Sequence, residues 1–274
     1  MTASAEGSAP PATAIIDPTV LHPWQLVFDP EWLIGLAVIA VDYAVVVRAF
    51  ERRGLAVSGL RRLAFAGGIL MTALALFSPI EHLALHSMLS FHLLQNVMLG
   101  DWAPPLFLLG LSPAMTRGLA RRRWVAVLAN PPFALGFWLV TWYVTHIPAV
   151  YDTALRHQGL LGFEHLAFLI SGLAFWWPEI VPGYLSPIGK VSYLALAFLA
   201  ISPLDLFVYL ANHPLYSFYL HTPKLGGISA LADQQIAGVA MAIESNLVLL
   251  TVIAFALMRL LSDEPAAERP ADPA

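Results

Sequence analysis

The residues of this 274-residue chain best suited to chemistry are its nine histidines, and they are unevenly placed. The densest run is Glu81-His82-Leu83-Ala84-Leu85-His86-Ser87-Met88-Leu89-Ser90-Phe91-His92-Leu93-Leu94-Gln95-Asn96. On a helix His82 and His86 share one face, and Met88, His92 and Asn96 form a second four-spaced row one to two turns deeper. Imidazole is the commonest protein metal ligand, and a thioether beside an imidazole suits copper(I). His86, Met88 and His92 are therefore candidate metal ligands. The alternative is interfacial histidines, with one imidazole hydrogen-bonded between helices.

Two further runs add imidazoles: Thr145-His146-Ile147-Pro148-Ala149-Val150-Tyr151-Asp152, and Phe163-Glu164-His165. Antiparallel neighbours joined by a short loop would bring His146 and His165 to the same depth. His92 could meet them if its helix packs alongside. Glu164 could then orient an imidazole through a hydrogen bond. A polar network that only fixes helix packing fits these residues equally well. Gln95, Asn96 and Asp152 are supporting polar candidates, and Met241 and Asp233 come from a last run, Asp233-Gln234-Gln235-Ile236-Ala237-Gly238-Val239-Ala240-Met241-Ala242-Ile243-Glu244. Asp233 is placed to cap the helix it opens. Gln234 and Met241 share a face, Gly238 permits a close neighbour, and mid-span Glu244 calls for a polar partner or a proton-accessible cavity. His157, His213 and His221 fall in connections and read as surface residues.

The elements that must hold these groups are membrane helices. The chain is 58% hydrophobic and 12% charged, where a soluble domain carries roughly 25% charged residues. A crossing helix needs about 20 apolar residues. Seven runs qualify: about Glu31–Phe50, Leu60–Ile80, Glu81–Leu111, Pro131–Val150, Leu160–Pro178, Val191–Leu210 and Ala232–Leu261. Gly67 and Gly68 allow close approach in the second. Asp101, Pro104 and Pro105 predict a kink or break in the third. The fifth ends Phe175-Trp176-Trp177-Pro178, read as an interfacial aromatic anchor. Residues 1–30 read as a flexible tail, 31–262 as the membrane domain, and 263–274 as a disordered tail.

Charge gives this bundle a direction. Arg48, Arg52, Arg53, Arg61, Arg62, Arg117, Arg121, Arg122, Arg123, Lys190, Arg259 and Arg269 all lie on alternate connections, twelve of the fourteen basic residues. Arg156 and Lys224 are the exceptions. The positive-inside rule places the amino terminus outside and the carboxyl terminus in the cytoplasm. His22, His82, His86, His92, His146, His157, His165, His213 and His221 then all map to the outer half.

The basic residues hug the membrane instead of forming a nucleic-acid patch. With no cysteine there is no disulfide, no thiolate metal site and no thiol nucleophile. Lys190 and Lys224 both lie in connections, which excludes a retinal Schiff base, and no nucleophile motif points to a hydrolase.

Several of these motifs together resemble one family. Phe91-His92-Leu93-Leu94-Gln95-Asn96 followed by Ala103-Pro104-Pro105-Leu106-Phe107-Leu108-Leu109-Gly110 is similar to the third-span signature of the CtaG-type cytochrome c oxidase assembly factors. So are His146-Ile147-Pro148-Ala149-Val150-Tyr151-Asp152-Thr153-Ala154-Leu155, Glu164-His165 with Phe175-Trp176-Trp177-Pro178, and Asp233 through Gly238. The match runs from about Trp32 to Leu261. Where the family pattern has a second histidine four residues after the first, this chain has Asn96, and where the last span usually has Met-Trp it reads Met241-Ala242.

The resemblance implies a multi-span protein of the cell (inner) membrane, not an enzyme, that serves oxidase biogenesis by handling copper on its outer face. Its implied partners are oxidase subunits or outer-face copper carriers, besides membrane lipid. The implied copper ligands are His92, His146 and His165, helped by His86 and Met88. Rival readings are a b-type haem protein with paired imidazoles, a proton path through Asp42, Asp205 and Glu244, and a metal-free assembly scaffold.

Overall fold

A computed structural model describes residues 26–262; of the expected tails, residues 1–25 and 263–274 lie outside them, and Pro30 already opens the first helix. Within that range the regular structure is helical throughout. The helices are α1 (Pro30–Glu51), α2 (Gly59–Phe77), α3 (Pro79–His86), α4 (Leu89–Val97), α5 (Ala103–Gly110), α6 (Pro113–Ala120), α7 (Arg123–Leu128), α8 (Pro131–Thr145), α9 (Pro148–Arg156), α10 (Gln158–Ile180), α11 (Pro187–Leu210) and α12 (Ala230–Ser262). Four described stretches are long and apolar enough to cross a membrane: Pro30–Glu51, Gly59–His86, Gln158–Ile180 and Pro187–Leu210. The pair α8 and α9, bent by 77°, makes a fifth if counted as one span.

Local chemistry sets many boundaries. Asp29, Ser58, Ser78, Asn130 and Ser186 each cap the helix that follows through a side-chain oxygen, and proline opens α1, α3, α8, α9 and α11. Proline lacks the N–H that the first turn leaves unpaired anyway.

The expected third span is built in pieces. Its first break is not at the prolines but at Ser87 and Met88, where Met88 is extended (φ −127°, ψ 127°). The row Met88, His92, Asn96 is therefore not one helical face: Met88 stands at the break, while His92 and Asn96 keep their four-residue register on α4. At the expected kink the chain instead widens into a π-helical turn, Met98–Trp102, and continues as α5 with proline in its first turn. A π turn is a common way to pass a disturbance in the i→i−4 ladder without ending the helix.

Packing centres on α10 and α12. α10 lies against α5, α8 and the π turn, and α12 lies against α11 and α4. At the closest crossing a Cβ on Gly172 would sit 2.1 Å from the Gly100 carbonyl oxygen, so only glycine lets α10 pass the π turn. Gly238 plays the same part between α12 and the Tyr209 backbone of α11. The Phe175-Trp176-Trp177 segment is no lipid-facing anchor. All three side chains are buried, with Phe175 stacked on Trp138 at 4.4 Å and against Tyr193 at 5.2 Å. Large rings close the gap between α8, α10 and α11 better than they would cover an exposed rim.

Candidate functional site

Three helices deliver the three central imidazoles. His92 comes from the first turn of α4, His146 from the C-cap of α8, and His165 from the second turn of α10. All three are buried. The His92 and His165 rings are 6.1 Å apart between centroids. Tyr151, on α9, packs against both His92 (4.9 Å) and His146 (6.0 Å). The sharp bend between α8 and α9 is what turns Tyr151 back onto the end of α8.

The hydrogen bonds determine which nitrogen carries the proton in two of the rings, His92 and His146. The Tyr219 hydroxyl donates to the Ala84 carbonyl at 2.6 Å, so it must accept from Nδ1–H of His92, 3.1 Å away. Burial holds the Tyr219 phenol well above its ordinary range, so it keeps its proton. Nδ1 of His146 lies 2.8 Å from the Trp142 carbonyl oxygen, which can only accept. In both neutral rings Nε2 is therefore a bare lone pair. Nε2 of His92, of His146 and of His165 is in each case buried without a hydrogen-bond partner. Leaving a buried polar atom unmade costs about 1–3 kcal/mol.

Glu164 is the acidic side chain beside them. Its Oε1 lies 3.7 Å from Nε2 of His92 and accepts from Asn96 Nδ2 at 3.4 Å. Asn96 thus braces a carboxylate. Gln95, one residue earlier, faces the other way and donates to Glu81 and, at 3.0 Å, to the Ala75 carbonyl. Among the described residues, no group of three or more His, Cys, Asp or Glu side chains is placed to hold a metal ion. The arrangement is an open one: two neighbouring imidazoles, a third behind Tyr151, and one braced carboxylate.

Two loops hold this cluster from the outside. Asp152 accepts from Ser217 N (2.9 Å), Ser217 Oγ (2.6 Å) and Phe218 N (3.1 Å), which secures the 3₁₀ turn Ser217–Leu220 that carries Tyr219. Buried Lys224 donates to the Ser87 and Tyr219 carbonyls at 2.7 and 2.8 Å, tying the same loop to the α3–α4 break. Asp233 does not cap its own helix. Ser229 Oγ accepts from Ala232 N there, and the Asp233 carboxylate instead accepts from Leu89 N and Ser90 N at the start of α4. Ser229, three residues before the N–H it satisfies, is already in capping position, which frees Asp233 to reach across.

The other expected residues lie elsewhere. His86 is exposed on α3, stacked on His82 at 4.6 Å. It lines a pocket of mixed polar and apolar character, about 370 Å³, that also includes Asp29, Glu81, Arg156 and His165. Met88 is buried at the helix break, and Met241 lies in the hydrophobic core. Gln234 pins the loop before α12 by accepting from Leu215 N at 2.7 Å. His157, His213 and His221 are exposed. Glu244 does find a polar partner, the Trp102 indole N–H. Asp205 is buried while Asp42 is exposed on α1, so the three acids do not make one line. Sequence reasoning missed Tyr219 and the role of Lys224. The one available signal was that Lys224 broke the charge pattern.

The family model described as "Cytochrome c oxidase caa3 assembly factor (Caa3_CtaG)" matches residues 41–263. Searches of curated proteins and of solved structures found no match.

Proposed function

This chain belongs to the cytochrome c oxidase caa3 assembly factor family, and from that premise we propose that it is a non-catalytic membrane factor that passes copper, as cargo, to the oxidase during its biogenesis. The observation that carries this reading is the set of three buried Nε2 atoms without a hydrogen-bond partner, on His92, His146 and His165. Copper(I) accepts imidazole donors and low coordination numbers, and a carrier must release what it holds. His92 and His165 form the primary pair. His146 is the third donor, and Glu164, braced by Asn96, supplies a compensating charge. His86 stands in the outer pocket, on the approach to His165.

In this reading the chain crosses the cell (inner) membrane seven times with its amino terminus outside, which puts the imidazoles on the outer half. Partners are oxidase subunits or outer-face copper carriers.

The test is metal content and a visible spectrum of detergent-purified protein after copper(I) reconstitution, wild type beside His92→Ala. About one copper per chain, lost in the variant, is the expected result. No copper in either protein would sink the proposal and leave a scaffold. Iron with a Soret band would transfer the imidazoles to haem.

A further inference from the structure

The arginine-bearing end of the bundle holds a cavity of about 480 Å³ that the imidazole site does not use. Its walls come from α1, α2, α5, α7 and α10 and the end of α6, and every side chain lining it is apolar, among them Ile39, Phe107, Leu119, Trp124, Leu128 and Ile170. It is large enough for a ligand. It is not sealed: Trp124 is 62% exposed, and Ile39 and Ile170 are 38% and 36% exposed. Four arginines adjoin its wall along the chain. Arg121, Arg122 and Arg123 fall between the lining residues Leu119 and Trp124, and Arg117 is one turn earlier on α6. All four are exposed, and among the described residues none of them is in an ion pair.

An apolar slot open to the side, with exposed arginines in the segment that joins its lining residues Leu119 and Trp124, has the chemistry of one amphiphile. We propose that this cavity takes an acyl chain of an anionic phospholipid, whose phosphate is held by the guanidinium groups of Arg121, Arg122 and Arg123. The charge complementarity decides the occupant. A purely apolar partner helix would leave four cations unmatched, and a zwitterionic lipid would set its own ammonium among them. Basic pockets beside membrane helices recognise anionic headgroups on this physical basis. The exposed indole of Trp124 sits where the chain would pass from headgroup to slot.

The experiment uses the full chain in detergent with phosphatidylglycerol or phosphatidylcholine carrying brominated acyl chains, read by tryptophan quenching and by lipid retained per chain in native mass spectrometry. Expected is retention of one phosphatidylglycerol, at least tenfold tighter than phosphatidylcholine, with a quenching component that Trp124→Phe removes. The triple variant Arg121→Gln/Arg122→Gln/Arg123→Gln should abolish the preference, since these exposed positions can change without disturbing the core. Leu128→Trp should fill the slot and release the lipid. Equal retention of both lipids, or retention unchanged in both variants, overturns the proposal. So does a second copy of the chain covering Trp124 in place of lipid, or binding that requires removal of the acidic segment 263–274. None of these readouts depends on copper.

Discussion

Asp233, in the first turn of α12, hydrogen-bonds the backbone N–H of Leu89 at 2.7 Å and of Ser90 at 3.2 Å, and so caps a helix 144 residues away in sequence. The contact sets the start of α4 and with it the position of His92, three residues on. Asp233→Ala leaves two buried donors without partners, a loss of about 1–3 kcal/mol. Thermal unfolding in detergent should show it. Asp233→Asn, which keeps one acceptor oxygen, should recover part of the loss. An alanine variant as stable as wild type would show that the cap does not hold α4.

Asn96 is a brace in this structure. Asn96→Leu keeps the size of the side chain and removes the donor to Glu164. Outer partners of metal ligands typically change affinity 10- to 100-fold, so copper(I) retention in a competition titration should fall by about tenfold while expression persists. Unchanged retention would separate Glu164 from the site.

Gly172 and Gly136 make a matched pair on neighbouring helices. Gly172→Ala forces a Cβ to within 2.1 Å of the Gly100 carbonyl oxygen, so α10 must move off the π turn. Overpacking of this kind costs about 1–3 kcal/mol or more. A Cβ at Gly136 meets nothing within 4 Å, and Gly136→Ala should be neutral or gain up to about 1 kcal/mol from helix propensity. The unfolding midpoint should fall for Gly172→Ala and hold or rise for Gly136→Ala.

Lys224 gives the fold a pH signature. Burial lowers its pKa in the folded protein, more than nearby Asp233 raises it. The unfolded side chain keeps its proton up to about pH 10.4, while the folded one releases it earlier. Below that pH the unfolded state binds more protons, so this residue makes stability rise with pH in the window just under 10.4. Lys224→Met should remove that rise, and should also loosen the Tyr219 loop at every pH. The comparison is the unfolding midpoint between about pH 8 and pH 10, with wild type and variant expected to diverge in slope.

Much of this was legible in residue order alone. Apolar runs of crossing length act locally, so the helical class followed from residue order, while the serine caps and opening prolines that set the observed helix ends were not read from it. His92, His146 and Glu164-His165 were identifiable because polar groups in apolar runs are costly and therefore conspicuous. Long-range partners were not legible. Asp233 has the local grammar of a cap for its own helix, and only the packing of α12 on α4 shows that it serves the other one. Met88 matches the helical register of His92 by count, yet the chain leaves the helix at Ser87, where Lys224 and Thr222 take up the freed carbonyl. Trp176 and Trp177 read as interfacial because aromatic pairs near a span end often are; their burial depends on α8 and α11 arriving beside them. Arg156 and Lys224, the two exceptions to the charge pattern, both grip the loop 217–224, Arg156 through Ser217 Oγ and the Phe218 ring and Lys224 through its backbone carbonyls. Sequence determines what each segment can do within one or two turns. Which orphaned donors and acceptors meet across 60 to 140 residues is decided only when the helices have packed, because a buried polar atom is satisfied by whatever neighbour the fold brings to it.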